Sequence, residues 1–358
     1  PAGVVGIVNH GRTFDPCLPE AARLLLHMRN KSLFFCAWIC YCNIIGGCIM
    51  LSFIMLVFGF VLLVWGADKF VAGASALARR LGVSPLLVGL TIVAFGTSAP
   101  ELAVSLTAAL QGANEIAVGN VVGSNIFNLL MVAGLSAVVC PLVMDRTLLR
   151  RDWPISLGAA VLLLVYILPD LTISRIEGII LLLLFAMVLG MQIRAALKNR
   201  DTLESEEDEI TMPPLMIGVN IVLGLACIII GGQLAVNGAT GIARMFGLSE
   251  TLIGLTIVAI GTSLPELVTS LVAARKGQNE IAMGNVIGSN IFNLLFILGV
   301  SATITPIPVQ ATSIIDALVL IGISIVFYLP ARRGKLGRAP GVIMALTYVV
   351  YTAYLIMR

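Results

Sequence analysis

The stretch Gly89 to Leu102, GLTIVAFGTSAPEL, sets a proline and a glutamate inside an apolar run that otherwise suits the interior of a membrane. It occurs twice. Gly254 to Leu267 reads GLTIVAIGTSLPEL, and the copies differ only at Phe95/Ile260 and Ala99/Leu264. A charged side chain at mid-bilayer costs roughly 2.5 to 3.5 kcal/mol even on lenient insertion scales, so Glu101 and Glu266 need something to bind or to pair with.

Composition agrees with a membrane setting. With 59% hydrophobic and 11% charged residues and a mean hydropathy of +1.03, the 358-residue chain is too apolar for a soluble domain of its size. Apolar windows of roughly 17 to 25 residues, the length needed to cross a ~30 Å hydrocarbon core, recur along it. Ten are expected, at about 51–66 and on towards Phe70, 84–110, 114–138, 153–168, 173–193, 215–236, 250–274, 280–302, 313–329 and 341–357. The lipid bilayer is therefore one partner. Nucleic acid is not, because the basic residues sit in short loops between spans and form no basic face.

Adding 165 to a residue number maps the first half onto the second without a gap from Gly66/Gly231 to Pro141/Pro306. Each half holds five windows, an odd number, so the second half enters the bilayer in the opposite sense. The fold class expected is an all-α polytopic membrane protein of ten transmembrane helices, built as two inverted five-helix repeats over 50–197 and 214–358. Residues 198–213 form an acidic, solvated linker between them. Residues 1–49 do not follow the order of a signal peptide. They are expected to be an extension ahead of a working protein that starts at Met50. Loops after odd-numbered windows carry Arg79, Arg80, Arg146, Arg150, Arg151, Arg194, Lys198, Arg200, Arg275, Lys276, Arg332, Arg333, Lys335 and Arg338; those after even-numbered windows, with the C-terminus, carry only Arg175, Arg244 and Arg358. The positive-inside rule then puts the linker in the cytoplasm.

Within GTSAPE, Thr97 and Glu101 are four residues apart and Ser98 lies one turn before Glu101, so their oxygens share a helix face. Pro100 and Pro265 lack an N–H and deprive the Gly96 and Gly261 carbonyls of their helical donors. Helices broken in this way are tolerated at membrane depth where the freed backbone lines a polar cavity. A second duplicated motif, GNVVGSNIFN at Gly119 to Asn128 and GNVIGSNIFN at Gly284 to Asn293, matches at nine of ten positions. Gly119/Gly123 and Gly284/Gly288 form faces on which helices approach closely. Asn120, Ser124 and Asn128, like Asn285, Ser289 and Asn293, form a stripe of oxygens that can face an ion, whereas Asn125 and Asn290 read as hydrogen-bond glue between helices.

Carboxylates, hydroxyls, amide oxygens and bare carbonyls make an oxygen-only cage, suited to Ca2+ or Na+ and poorly suited to soft metals. Two Glu charges balance one divalent cation. The seven cysteines lack metal or disulfide spacing, and His10 and His27 both precede the first motif. No catalytic residue and no cofactor is expected, and the protein is not read as an enzyme. Asp68 and its counterpart Gln233 are not part of the cage; Asp68, next to Lys69, is expected to serve in a local ion pair or as an interface anchor.

At these paired motifs the sequence resembles the cation/calcium exchanger superfamily, in particular the prokaryotic sodium/calcium exchangers, over essentially Met50 to Arg358. The resemblance implies antiport of Ca2+ against Na+ in a prokaryotic plasma (inner) membrane, with ions held between helices two, three, seven and eight. It implies ligands at Glu101, Glu266, Thr97, Thr262, Ser98, Ser263, Ser124, Ser289, Asn128 and Asn293, and at the backbone carbonyls of Ala94 and Ala259. It also implies alternating access by sliding of the first and sixth helices. Relatives often carry Asp at Asn293 or its counterpart; here both are Asn, which lowers the charge of the cage. H+ or K+ are the alternative coupling ions, and a proton-coupled cation antiporter is the alternative reading.

Overall fold

A computed structural model of the chain describes residues 31–111, 115–198, 212–248, 253, 257 and 259–357, with side chains from residue 50 onward except at 115, 116 and 259. Residues 199–211, most of the expected linker, and the first thirty residues lie outside the described residues. The described residues are helical nearly throughout, as an all-helical membrane protein must be to satisfy its backbone without water. α1 runs from Lys31 to Leu81 without a break at Met50. The next crossing is broken into α2 (Pro85–Val88), a π turn (Gly89–Val93), α3 (Ala94–Thr97) and α4 (Ala99–Leu110). α5 (Glu115–Phe127) continues through a π turn (Asn128–Val132) into α6 (Ala133–Val139), and α7 (Trp153–Ile167) follows a π turn at Leu148–Asp152. α8 (Arg175–Lys198) completes the first half.

The second half repeats the order with α9 (Pro214–Met245), α10 (Ala259–Thr262), α11 (Leu264–Arg275) and α12 (Asn279–Ile291). A π turn (Phe292–Ile297) leads to α13 (Leu298–Ile304), then α14 (Thr312–Ala331) and α15 (Arg338–Met357). Among the described residues, seven helices are long and apolar enough to cross a membrane, and an eighth if Pro85–Thr97 and Ala99–Leu110, bent by 49°, form one crossing. The ten expected windows differ from this for two reasons. The fourth is only fifteen residues of α-helix, brought to about 30 Å by the five-residue π turn before it. The seventh is described only in part: 250–252, 254–256 and 258 lie outside the described set, and what remains is the short turn Ala259–Thr262 and the helix Leu264–Arg275. The first and sixth are also longer than expected, at 32 residues each from Met50 to Leu81 and from Pro214 to Met245. At 1.5 Å per residue they measure about 48 Å, well over the thickness of a ~30 Å core, an excess that tilting or projection beyond it accommodates.

Among the described residues there are four two-residue strands: β1 (Leu142–Val143), β2 (Thr172–Ile173), β3 (Ile307–Pro308) and β4 (Lys335–Leu336). β1 pairs with β4 and β2 with β3, both antiparallel. β1 and β2 bracket α7, and β3 and β4 bracket α14. These equivalent helices of the two halves therefore run between the same two ends in opposite directions. Their packing agrees: Trp153 Nε1, at the start of α7, donates to Ser324 O near the end of α14 at 3.2 Å, and Tyr328 OH donates to Leu149 O at 3.0 Å.

α1 and α9 pack on each other far more extensively than on anything else. In lipid no hydrophobic force pulls two helices together, so close approach and dispersion must do it. Gly59 faces Gly231, and Gly66 faces Gly224; each pair becomes the other under the 165-residue offset. A methyl at Gly231 would sit 2.7 Å from both Gly59 O and Leu63 N. α12 crowds the broken crossing similarly, for a Cβ at Gly284 would lie 2.9 Å from Leu86 O and one at Gly288 2.8 Å from Ala94 Cβ. Of the segment equivalent to α2, 250–253, only Ile253 is among the described residues. Leu86 N also donates to Glu280 Oε2 at 3.1 Å, pinning the start of the broken crossing to α12.

Asp68 does not pair locally. Its partner is Lys276 in the other half, whose Nζ lies 2.6 Å from Asp68 Oδ1 and 2.9 Å from its carbonyl, while Lys69 sits 5.9 Å from the Trp65 ring centroid. The residues 165 positions away, Gln233 and Gln111, carry no charge.

Gly231→Ala is expected to lower the thermal unfolding midpoint of the purified protein, since overpacking a tight contact costs about 1–3 kcal/mol. Gly158→Ala, where no atom lies within 4 Å of the added methyl, is expected to leave the midpoint unchanged or raise it, by the better helix propensity of alanine.

Candidate functional site

Pro100 and Pro265 stand at the second position of α4 and α11, where a missing N–H does no harm to the helix that follows. The cost falls on the residues before. Ser98 (φ −82, ψ 10) and Ser263 (φ −94, ψ 7) leave helical geometry in the same way in both halves. Each break delivers a serine hydroxyl and, one turn on, a glutamate, all four fully buried.

The two halves then exchange contacts. Ser98 Oγ donates to Glu266 Oε1 at 2.8 Å, and Ser263 Oγ donates to Glu101 Oε1 at 2.9 Å. Each carboxylate is thus held by the hydroxyl of the opposite repeat. Among the described residues no basic side chain pairs with either. Ser124 and Ser289 bring further hydroxyls within reach of Glu101 and Glu266 respectively, and Ser289 Oγ also lies 3.5 Å from Ala94 O.

A ring of four amides lies alongside. Asn125 Nδ2 donates to Asn290 O at 3.1 Å, and Asn290 Nδ2 returns a bond to Asn125 O at 3.4 Å. Asn293 Nδ2 donates to Asn125 Oδ1 at 3.0 Å and Asn128 Nδ2 to Asn290 Oδ1 at 3.2 Å. Asn128 and Asn293 sit in the π turns that interrupt their helices, a distortion frequent at functional sites. On these glutamates and amides, among the described residues, four oxygens remain buried without a hydrogen-bond partner: Glu101 Oε2, Glu266 Oε2, Asn128 Oδ1 and Asn293 Oδ1.

The structure thus gathers Glu101, Glu266, Ser98, Ser263, Ser124, Ser289, Asn128 and Asn293 around one buried centre. Thr97 is fully buried beside them, with its hydroxyl 2.9 Å from Asn285 Oδ1 and 3.3 Å from Ala94 O. The Ala94 carbonyl is not bare, since it also accepts from Ser98 N at 3.0 Å. Thr262 lines a cavity of about 390 Å³ that lies between α9 and the two breaks, bordered by Pro100, Gly232, Gln233 and Pro265. Ala259 opens the turn α10, and only its backbone is described.

Asn120 and Asn285 depart from the expected stripe. Asn120 Nδ2 donates to Glu101 O and Ser105 Oγ, and Asn285 Nδ2 to Glu266 O and Ser270 Oγ, so both brace the glutamate backbone from behind. Ser105 and Ser270 escaped notice in the sequence, although each stands four residues after its glutamate, on the same helix face.

Leaving a buried polar atom unpaired costs about 1–3 kcal/mol, and more when it is charged. Four such oxygens around one centre describe a place for a hard cation. Among the described residues no three His, Cys, Asp or Glu side chains cluster, so the carboxylate pair is the whole of the charge and neutral oxygens must complete the shell.

The sodium/calcium exchanger protein family profile matches residues 51–194 and 217–357. The chain is 42% identical over 313 residues to CaxA of Alkalimonas amylolytica, covering 84% of this chain and 98% of that protein. It is 39% identical over 320 residues to the inner membrane protein YrbG of Escherichia coli, covering 86% and 97%. The solved structure of the sodium-calcium exchanger NCX_Mj soaked with Na+ and Sr2+ superposes with a TM-score of 0.75 at 34% identity, over 85% of this chain and 98% of that one. Two matched repeats, placed as the duplicated motifs are placed, leave one assignment: this integral, multi-pass membrane protein is a transporter of the sodium/calcium exchanger family.

Proposed function

We propose that the protein is a secondary antiporter that moves Ca2+ outward against inward Na+ at the centre between the two repeats. One observation carries the reading: two buried carboxylates, each tied to a serine of the opposite half, keep one oxygen apiece without a partner beside two unpartnered amide oxygens. Two negative charges match one Ca2+, while Na+ uses the same oxygens singly. Competition for shared ligands couples the two fluxes. An empty cage holds two unscreened carboxylates, which disfavours crossing unloaded and so favours exchange over leak.

In this reading Glu101 and Glu266 are the shared charged ligands. Thr97, Thr262, Ser98, Ser263, Ser124, Ser289, Asn128 and Asn293, with the Ala94 and Ala259 carbonyls, supply neutral oxygens to subsites. The chain crosses the membrane ten times as two inverted repeats, a reading supported by the opposed directions of α7 and α14. The acidic linker faces the cytoplasm, in line with the basic loops. Access alternates by movement of the long pair α1 and α9 over the remaining helices; their extensive mutual packing and the cavity between α9 and the helix breaks speak for this. The similarity to an inner membrane protein favours a prokaryotic inner membrane as its location.

In proteoliposomes, an outward-directed Na+ gradient is expected to drive uptake of radiolabelled Ca2+, and Glu101→Gln or Glu266→Gln to abolish it. Near-normal flux in both variants would refute the assignment. A pH gradient imposed without Na+ should drive little uptake; strong uptake under that condition would instead identify protons as the coupling ion. Because a ligand that binds only the folded state stabilises it, Ca2+ is also expected to raise the thermal unfolding midpoint of the purified wild type, and this shift should vanish in Glu101→Gln.

A further inference from the structure

Asn125 and Asn290 are fully buried, and neither leaves an oxygen free for an ion. Their bonds nevertheless determine what the cage presents. An amide has two ends of nearly equal size and opposite character, an oxygen that accepts and an NH2 that donates, so a cation ligand built from asparagine is useful in only one of its two orientations. A flipped Asn128 or Asn293 would aim two protons at the ion.

The bonding pattern removes that freedom. Asn290 O and Asn125 O are backbone carbonyls and can only accept, so the atoms facing them, Asn125 Nδ2 at 3.1 Å and Asn290 Nδ2 at 3.4 Å, must be the donors. That choice makes the opposite ends of Asn125 and Asn290 oxygens. Those oxygens in turn accept from Asn293 Nδ2 at 3.0 Å and Asn128 Nδ2 at 3.2 Å. The terminal atoms left over on Asn293 and Asn128 are then both Oδ1, and both are buried without a partner. Reversing any one amide would set oxygen against oxygen or NH2 against NH2 elsewhere in the ring. Two backbone carbonyls, one from each repeat, thus propagate their polarity through a relay amide to the oxygen at the site.

We propose that Asn125 and Asn290 are positioning residues for transport, which lock Asn293 and Asn128 so that each turns an oxygen, and not an NH2, toward the bound cation. The arrangement is crossed: the first repeat orients the ligand of the second and the second that of the first. The proposal rests on the reading of the centre as a cation site, and it accounts for how a cage with amides in place of further carboxylates is held in its accepting form.

The test compares Asn125→Leu, Asn293→Asp and the double variant, reading the Ca2+ concentration that half-saturates Na+-driven uptake in proteoliposomes and the Ca2+-dependent rise in thermal unfolding midpoint. A carboxylate accepts at both ends and has no wrong way round, so Asp at position 293 needs no relay. Asn125→Leu is expected to raise half-saturation about tenfold, the worth of roughly one hydrogen bond. Asn125→Leu/Asn293→Asp is expected to fall within about twofold of Asn293→Asp alone, because the orientation being lost no longer matters there. A merely structural role for Asn125 would weaken both backgrounds equally, and that result overturns the proposal, as does wild-type half-saturation in Asn125→Leu. Should the leucine variant not fold, Asn125→Ala removes the same acceptor, and Asn290→Leu with and without Asn128→Asp gives the symmetry-related measurement. If the wild type neither transports Ca2+ nor is stabilised by it, the cation-site reading falls and the orientation proposal with it.

Discussion

Two carboxylates share one buried centre, with no basic side chain among the described residues to neutralise them, and much of the fold around them answers that one electrostatic constraint. Neither carboxylate is held by the serine that precedes it in its own chain segment, because each of those hydroxyls points to the glutamate of the other repeat. The crossed bonds Ser98 to Glu266 and Ser263 to Glu101 therefore make the site a property of the pair. The amide ring repeats the same exchange one layer away. Neither repeat has a complete centre by itself.

Bringing charged groups from two repeats to one point requires backbones to approach closely and helices to be interrupted in the right places. Glycines supply the approach, at Gly59 and Gly66 on α1, Gly224 and Gly231 on α9, and Gly284 and Gly288 on α12. Prolines and π turns supply the interruptions. The proline breaks turn a hydroxyl and a carboxylate inward together, and the π turns at Asn128 and Asn293 shift the helical register where the amides meet. Little of this stabilisation is hydrophobic in the usual sense, since lipid tails are as apolar as the side chains they touch.

The centre was largely written in the sequence, because an acidic side chain in an apolar run demands a partner and an identical demand 165 residues later names it. Glu101, Glu266 and their flanking serines could be read directly from that logic. The stripe through Asn120, Ser124 and Asn128 was read too simply: helical spacing places residues on one face but does not say which way an amide turns, and Asn120 and Asn285 turn to the glutamate backbone instead. Hydropathy windows underestimated α1 and α9, since a tilted helix can exceed the thickness it spans, and they could not foresee the π turn that completes the fifteen-residue α7. The partner of Asp68 was out of reach for a related reason. Lys69 is next to it in sequence, but adjacent positions on a helix do not face each other, and the lysine that does reach Asp68 comes from the other half.

That last contact sets a limit on the symmetry of the molecule. Hydrogen bonds at the centre are traded evenly between the repeats, and the glycine crossings of α1 and α9 interchange under the same offset. The bond from Lys276 to Asp68 has no twin, because Gln111 and Gln233 occupy the matching positions with neutral amides. Any rearrangement in which the two halves swapped surroundings would break a salt bridge at one rim and gain none at the opposite rim. The architecture is even-handed in shape and lopsided in charge, so in the proposed alternation the two end states would differ in energy even with the same cargo aboard.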